Sequence, residues 1–181
     1  KDLLIKDYDA VFVGTGAPRG KSLNLTGLAE ASEKVHIGID WLSNVAFDHV
    51  DSIGKRVLVL GGGNTAMDCC RTARRLGGED VRVVVRSPFD DMKASALEKE
   101  DAMHEGIPIY DNHTPKEFVV ENGVFKGVFF EKVEAKYGKN GKRTLAPTGE
   151  ELVFMEADDV LMAIGQENSF PWIERDIGIA F

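Results

Sequence analysis

Apolar and polar positions fall into two regimes along the 181-residue chain. In the first, short unbroken apolar runs alternate with stretches of helical period. Arg56-Val57-Leu58-Val59-Leu60 and Val81 to Val85 read as strands covered on both faces, the pattern of a parallel sheet. Thr65 to Leu76 places Ala66, Met67, Cys70, Ala73 and Leu76 on one side of a helix, with Asn64 as its cap and Gly77-Gly78 as its stop. Residues 39–48 and 94–105 read as further helices, Ile107 to Tyr110 as a third strand, and Asp159 to Ala163 as a final buried one. Asp9 to Val13 reads as an opening strand that leaves into Gly14-Thr15-Gly16-Ala17-Pro18, and residues 17–35 as loop.

The second regime follows residue 110. Glu117 to Val120 and Val124 to Phe130 flank Asn122-Gly123, a dipeptide that favours a tight hairpin turn. Residues 134–150 carry Lys, Gly, Asn and Pro and read as exposed loop, and Glu151 to Met155 as a third strand. The sum is an α/β fold: a Rossmann-like parallel sheet with crossover helices plus a small antiparallel β-meander.

Composition narrows the function classes. Thirty acidic against 22 basic residues give a net charge of −8. Such a chain does not attract nucleic acid in bulk, so any phosphate it holds must be met by local donors. No apolar run approaches the roughly 20 residues of a spanning helix, so no membrane partner is expected. The chain opens at Lys1 with no signal-peptide pattern and reads as a piece of a longer protein. Its two cysteines, Cys69 and Cys70, are neighbours, which suits a reducing cytoplasm and offers no CxxC for a cluster or zinc knuckle. The four histidines are scattered singly, so no metal site is expected.

The chemistry lies in Gly61-Gly62-Gly63-Asn64-Thr65-Ala66, a G-x-G-x-x-A turn between strand and helix. Gly61 allows the sharp turn, Gly63 lets the backbone approach a pyrophosphate, and small Ala66 lets helix and strand pack closely. The helix N-terminus offers free N–H groups and the positive end of its dipole to phosphate. An NAD site carries Asp or Glu at the end of the second strand, to bond the ribose 2′-OH. Here Arg86 and Ser87 stand there. A guanidinium binds a 2′-phosphate through paired hydrogen bonds and a hydroxyl adds a donor, so the position favours NADP(H). Lys93 is a second candidate. Arg71, Arg74 and Arg75 sit late in the helix, where cations meet the negative dipole end, and are read as structural. No catalytic side chain stands out, Asp90-Asp91 and Asp158-Asp159 reading as solvated ends, and a domain that only positions a nicotinamide needs none.

Tyr8 to Ala17, Gly54 to Asp68 and Ala157 to Gln166, in that order, resemble the small (beta) chain of glutamate synthase and its relatives, two-dinucleotide flavoprotein oxidoreductases of the FAD/NAD(P)-binding type. The resemblance covers nearly the whole chain. It implies an NADPH-binding domain inserted into an FAD domain. Residues 1–20 would be the tail of the FAD part and a hinge, 21–163 the NAD(P)H-binding domain, and 164–181 a hinge and the start of the returning FAD part. Gly165 joins the cofactor-binding set through this resemblance. The implied activity is hydride transfer from NADPH to FAD, then onward to an iron–sulfur or large-subunit partner, with this stretch inactive on its own. Ser87 stands where the family often has a second Arg, and Asn168 where it often has Pro. Two other readings stay open: a non-enzymatic nucleotide-binding scaffold, and the same domain in a ferredoxin–NADP reductase-like or dihydropyrimidine dehydrogenase-like parent.

Overall fold

A computed structural model describes residues 8–10, 12, 14, 16–137 and 143–171. In chain order the elements are β1 (Arg19–Gly20), β2 (Val35–Ile37), α1 (Gly38–Ala46), β3 (Arg56–Leu60), α2 (Asn64–Arg75), β4 (Asp80–Val84), α3 (Ala96–His104), β5 (Ile109–Tyr110), β6 (His113–Glu121), β7 (Val124–Tyr137), β8 (Arg143–Pro147), β9 (Val153–Glu156), β10 (Asp159–Met162) and β11 (Gln166–Glu167). Five of these strands form one parallel sheet in the order β2-β10-β3-β4-β5.

The unbroken apolar character of β3 has a direct cause. Val57 and Val59 face one core with Ala66, Met67 and Ala73 of α2, Trp41 of α1 and Ala102 of α3. Leu58 and Leu60 face a second core with Phe118, Val128, Phe130 and Met155 of the meander. Helices therefore cover one face of the sheet and the antiparallel strands the other. Successive side chains on a strand point to opposite faces, so a strand lying between two cores must be apolar at every position.

Ion pairs fasten the helical face. Arg71 of α2 meets Glu98, Asp101 and Glu105 at the start, middle and end of α3, at 3.0, 3.1 and 2.7 Å. Arg74 instead donates to the Gly78 carbonyl at 3.1 Å, the C-terminal role expected of a late helical cation.

Four expectations change. The stretch 17–35, read as loop, ends in Val35, the first residue of the edge strand β2, which pairs with β10. The stretch 134–150 is not simply loop: β7 runs on to Tyr137 and β8 pairs with it, Val133 opposite Pro147. Of the opening strand expected over 9–13, Val11 and Val13 lie outside the described residues, while Asp9, Ala10 and Phe12 carry no strand. Asp158 and Asp159, read as solvated, are both engaged. Asp158 accepts from the Arg56 guanidinium and backbone, and buried Asp159 accepts from Gly54 N and pairs with His36.

Outside both main sheets, β1 and β11 pair antiparallel, with Arg19 opposite Glu167 and Gly20 opposite Gln166. Lys21 N donates to Gly165 O at 3.0 Å, extending that pairing toward the end of β10.

Candidate functional site

All five parallel strands end on the same side, and a cleft of about 620 Å³ opens there. A second cleft, about 480 Å³, lies beside His36, Trp41 and Asp159, the first residue of β10, and has no glycine turn. The larger cleft is the candidate site, because open α/β sheets bind ligands outside the carboxyl ends of their strands.

The glycine turn forms its floor. Gly61 continues directly from β3, with its N–H on Val84 O at 3.0 Å and φ of +139°. A Cβ there would stand 2.2 Å from Ala163 O, so neither conformation nor space admits a side chain. Gly63 differs. It is the N-cap of α2, with extended φ and ψ, and nothing stands within 4 Å of where its Cβ would be. The open space faces the helix start, where no side chain caps the exposed backbone donors. The contrast with α3 is direct, since there Ser95 Oγ accepts from Glu98 N. Unmet donors beside a glycine with no neighbour fit a phosphate group. Ala66 is fully buried behind the turn, where only a small side chain leaves room for α2 to approach β3.

The other residues read from the sequence are distributed as follows. Gly61, Gly62, Gly63, Thr65, Arg86, Ser87, Lys93 and Gly165 all line this cleft. Asn64 does not, and it is not the helix cap. It is the first helical residue, and its Oδ1 accepts from Ser95 N at 2.9 Å. Ala94 N donates to Gly62 O at the same distance, so the segment entering α3 holds the turn from behind.

At one end of the cleft, immediately past β4, Arg86 is exposed and enters no ion pair among the described residues, while Ser87 is buried. An exposed guanidinium in a cleft can pair with an anion. At the other end lie Met162, Ala163, Ile164 and Gly165, with Lys21, Ser22 and Ile39 beside them. His113 and Thr114 form a further wall. Sequence reasoning missed Lys21 and Ser22 because 17–35 read as plain loop. It missed His113 and Thr114 because the hairpin was started at residue 117 rather than 113.

Both cysteines are buried on α2, and burial pushes each thiol up to about 12. Cys70 Sγ donates to Met67 O at 3.2 Å. Among the described residues no helix is long and apolar enough to cross a membrane.

Parallel sheet, crossover helices and antiparallel meander together define an α/β fold of the FAD/NAD(P)-binding type. Residues 4–181 match the pyridine nucleotide-disulphide oxidoreductase family, and the chain belongs to it. It is 34% identical over 182 residues to the beta subunit of an NADP(+)-dependent formate dehydrogenase from Moorella thermoacetica, covering 98% of this chain and 26% of that protein. It is 36% identical over 192 residues to the glutamate synthase [NADPH] small chain of Halomonas elongata, covering 97% of this chain and 39% of that protein. The family resemblance read from the sequence is therefore correct. Among solved structures, FprA of Mycobacterium tuberculosis in complex with NADPH superposes with a TM-score of 0.69 at 18% identity, over 90% of this chain and 51% of that one. Thioredoxin reductase from Lactococcus lactis gives 0.63 at 20% identity, over 91% and 47%. The chain spans 26% and 39% of the lengths of the two curated relatives described.

Proposed function

We propose that this chain is the NADPH-binding domain of a flavin-dependent oxidoreductase. Residues 21–163 form the domain. Residues 1–20 and 164–181 are its two connections to an FAD domain elsewhere in the same protein. The parent passes a hydride from NADPH to FAD and electrons onward to an iron–sulfur or large-subunit partner, in the cytoplasm. The observation that carries this reading is the juxtaposition, in one cleft, of the open Gly63 turn, the start of α2 without a side-chain cap and the exposed Arg86.

The chain's own residues divide the work by position. Backbone N–H groups at Gly63 to Thr65 hold the pyrophosphate, with the helix dipole behind them. Arg86 holds the 2′-phosphate, assisted by the Ser87 hydroxyl and by Lys93. Gly165 and its neighbours at the end of β10 form the nicotinamide end and leave space for an approaching ring. When bound, NADPH supplies the two electrons and the hydride. No side chain here needs to act as acid or base, because hydride transfer between cofactors depends on alignment.

Calorimetric titration of the intact protein with NADP⁺ and separately with NAD⁺ tests the reading. Tighter NADP⁺ binding supports it. Equal binding removes the role of Arg86 and keeps the turn. Absence of binding to both would leave the chain a scaffold and end the proposal.

A further inference from the structure

The wall made by His113 and Thr114 is not part of the parallel sheet. It is the start of the meander, and it is stitched to the end of β4. His113 N donates to Val85 O at 3.0 Å, and Asn112 N donates to Ser87 O at 3.3 Å. These two bonds bracket Arg86 in sequence. They place His113 beside the exposed guanidinium, and His113 itself lines the cleft together with Arg86, Ser87 and Lys93.

The imidazole is oriented. Its Nδ1 bonds to the Asp111 carbonyl, and its ring stands edge-on to Tyr110, with centroids 6.5 Å apart. A carbonyl only accepts, so Nδ1 carries the proton and Nε2 is left as the ring atom that a ligand can meet. The Asp111 carboxylate is occupied elsewhere, accepting from Phe89 N at 2.9 Å and from the Asn112 amide at 3.0 Å.

We infer that His113 is a specificity-determining residue of the cleft, meeting the 2′-phosphate of NADP(H) together with Arg86. The inference rests on the dinucleotide reading above and extends it: the antiparallel meander contributes to cofactor recognition. When protonated, Nε2 donates to a phosphate oxygen and adds a positive charge. When neutral, it presents a lone pair to the same oxygen and contributes nothing favourable. Several charged groups surround His113. Arg86, Asp91 and Lys93 line the same cleft, and Lys132 stands opposite His113 on β7, itself paired with Glu150 at 3.0 Å. A bound phosphate adds two negative charges to this group and favours the protonated ring.

The test titrates the intact protein with NADP⁺ and NAD⁺ at about pH 6 and about pH 8. Wild type is compared with His113→Gln, His113→Lys and Arg86→Ala. His113→Gln is expected to weaken NADP⁺ binding about fivefold at the lower pH and less than about twofold at the higher, with NAD⁺ changed less than about twofold throughout. His113→Lys keeps a permanent charge and is expected to retain NADP⁺ binding at both pH values. Because variant and wild type are compared at each pH, the titration of the phosphate itself cancels. Equal NADP⁺ affinity in wild type and His113→Gln, with Arg86→Ala still impaired, overturns this inference and leaves the dinucleotide reading intact. A loss shared equally by NADP⁺ and NAD⁺ also overturns it, since His113 would then only hold the wall. No effect of Arg86→Ala on NADP⁺ binding would remove the dinucleotide assignment of this end of the cleft, and this inference with it.

Discussion

Asn64, the first residue of α2, accepts a hydrogen bond from the backbone N–H of Ser95, the residue that caps α3. One side chain thus ties the start of the helix behind the glycine turn to the start of the next. The bond runs on the outside of the turn, away from the cleft. Asn64→Ala removes the acceptor while the parallel bond from Ala94 N to Gly62 O remains. The expected cost is about 1 kcal/mol of stability, the net worth of one hydrogen bond, read from urea unfolding. Unchanged stability would show that the Ala94 contact alone fixes the turn.

Two glycines of the same turn should fail in different ways. Gly63 has extended backbone angles and empty space at its Cβ position, so Gly63→Val is expected to fold with stability within about 0.5 kcal/mol of wild type. Its branched side chain fills the space meant for pyrophosphate, so dinucleotide binding should vanish. Gly61→Ala places a methyl group 2.2 Å from Ala163 O and should destabilise the sheet end itself. Retained dinucleotide affinity in Gly63→Val would remove the phosphate assignment of this turn.

Arg86→Ala separates the cofactors. The guanidinium is exposed and, among the described residues, makes no ion pair, so its loss should leave stability nearly unchanged. NADP⁺ binding should weaken by roughly 1.5–3 kcal/mol, the value of a charge-assisted hydrogen bond, and NAD⁺ binding much less. Equal losses for both nucleotides would reject contact with the 2′-phosphate.

The acidic end of β10 supplies a pH dependence. The Arg56 side chain and backbone hydrogen-bond Asp158 and hold its carboxyl below the usual range. A carboxylate whose folded pKa is depressed stabilises the fold above its unfolded pKa of about 4, and that contribution is lost as pH falls through the folded value. Both partners are partly solvated, so the effect should be about 1 kcal/mol at most. Asp158→Asn should flatten the acid limb of the stability–pH curve. An unchanged limb would show that other carboxylates carry it.

The parts that the sequence discloses are those whose local pattern has one physical cause. Val57 to Leu60 must be apolar throughout because two cores meet on β3, and Gly61 cannot carry a side chain beside Ala163. Both facts leave marks in consecutive residues. The rest depends on partners distant in sequence. Val35-His36-Ile37 is too short to show a period and becomes a strand only through β10. Arg143 to Pro147 reads as loop because its strand character comes only from pairing with β7. Asn64 has the residue type of a cap, yet its oxygen is taken by Ser95 N, across a tertiary contact that no local rule describes. His113 belongs to the cleft only because β6 folds back against Val85.

The family is named for disulphide chemistry, and this chain carries two cysteines with which to test that name. Cys69 and Cys70 are adjacent on one helix, both fully shielded, and neither lines the cleft. A thiol reacts as its thiolate. Burial pushes both up to about 12, so at neutral pH the anion is scarce and no reagent reaches it. Neighbouring side chains on a helix also diverge, so the pair cannot close a bridge without distorting α2. Neither cysteine is therefore placed to act as a redox relay. In the folded protein, neither thiol should react with a maleimide or with a disulphide reagent on the timescale of minutes at neutral pH, and both should react in denaturant. Mass spectrometry of the labelled peptide containing Asp68 to Arg71 distinguishes the outcomes. Rapid labelling of the native protein at either position would mean that α2 opens locally, and would make the cysteines candidate redox groups.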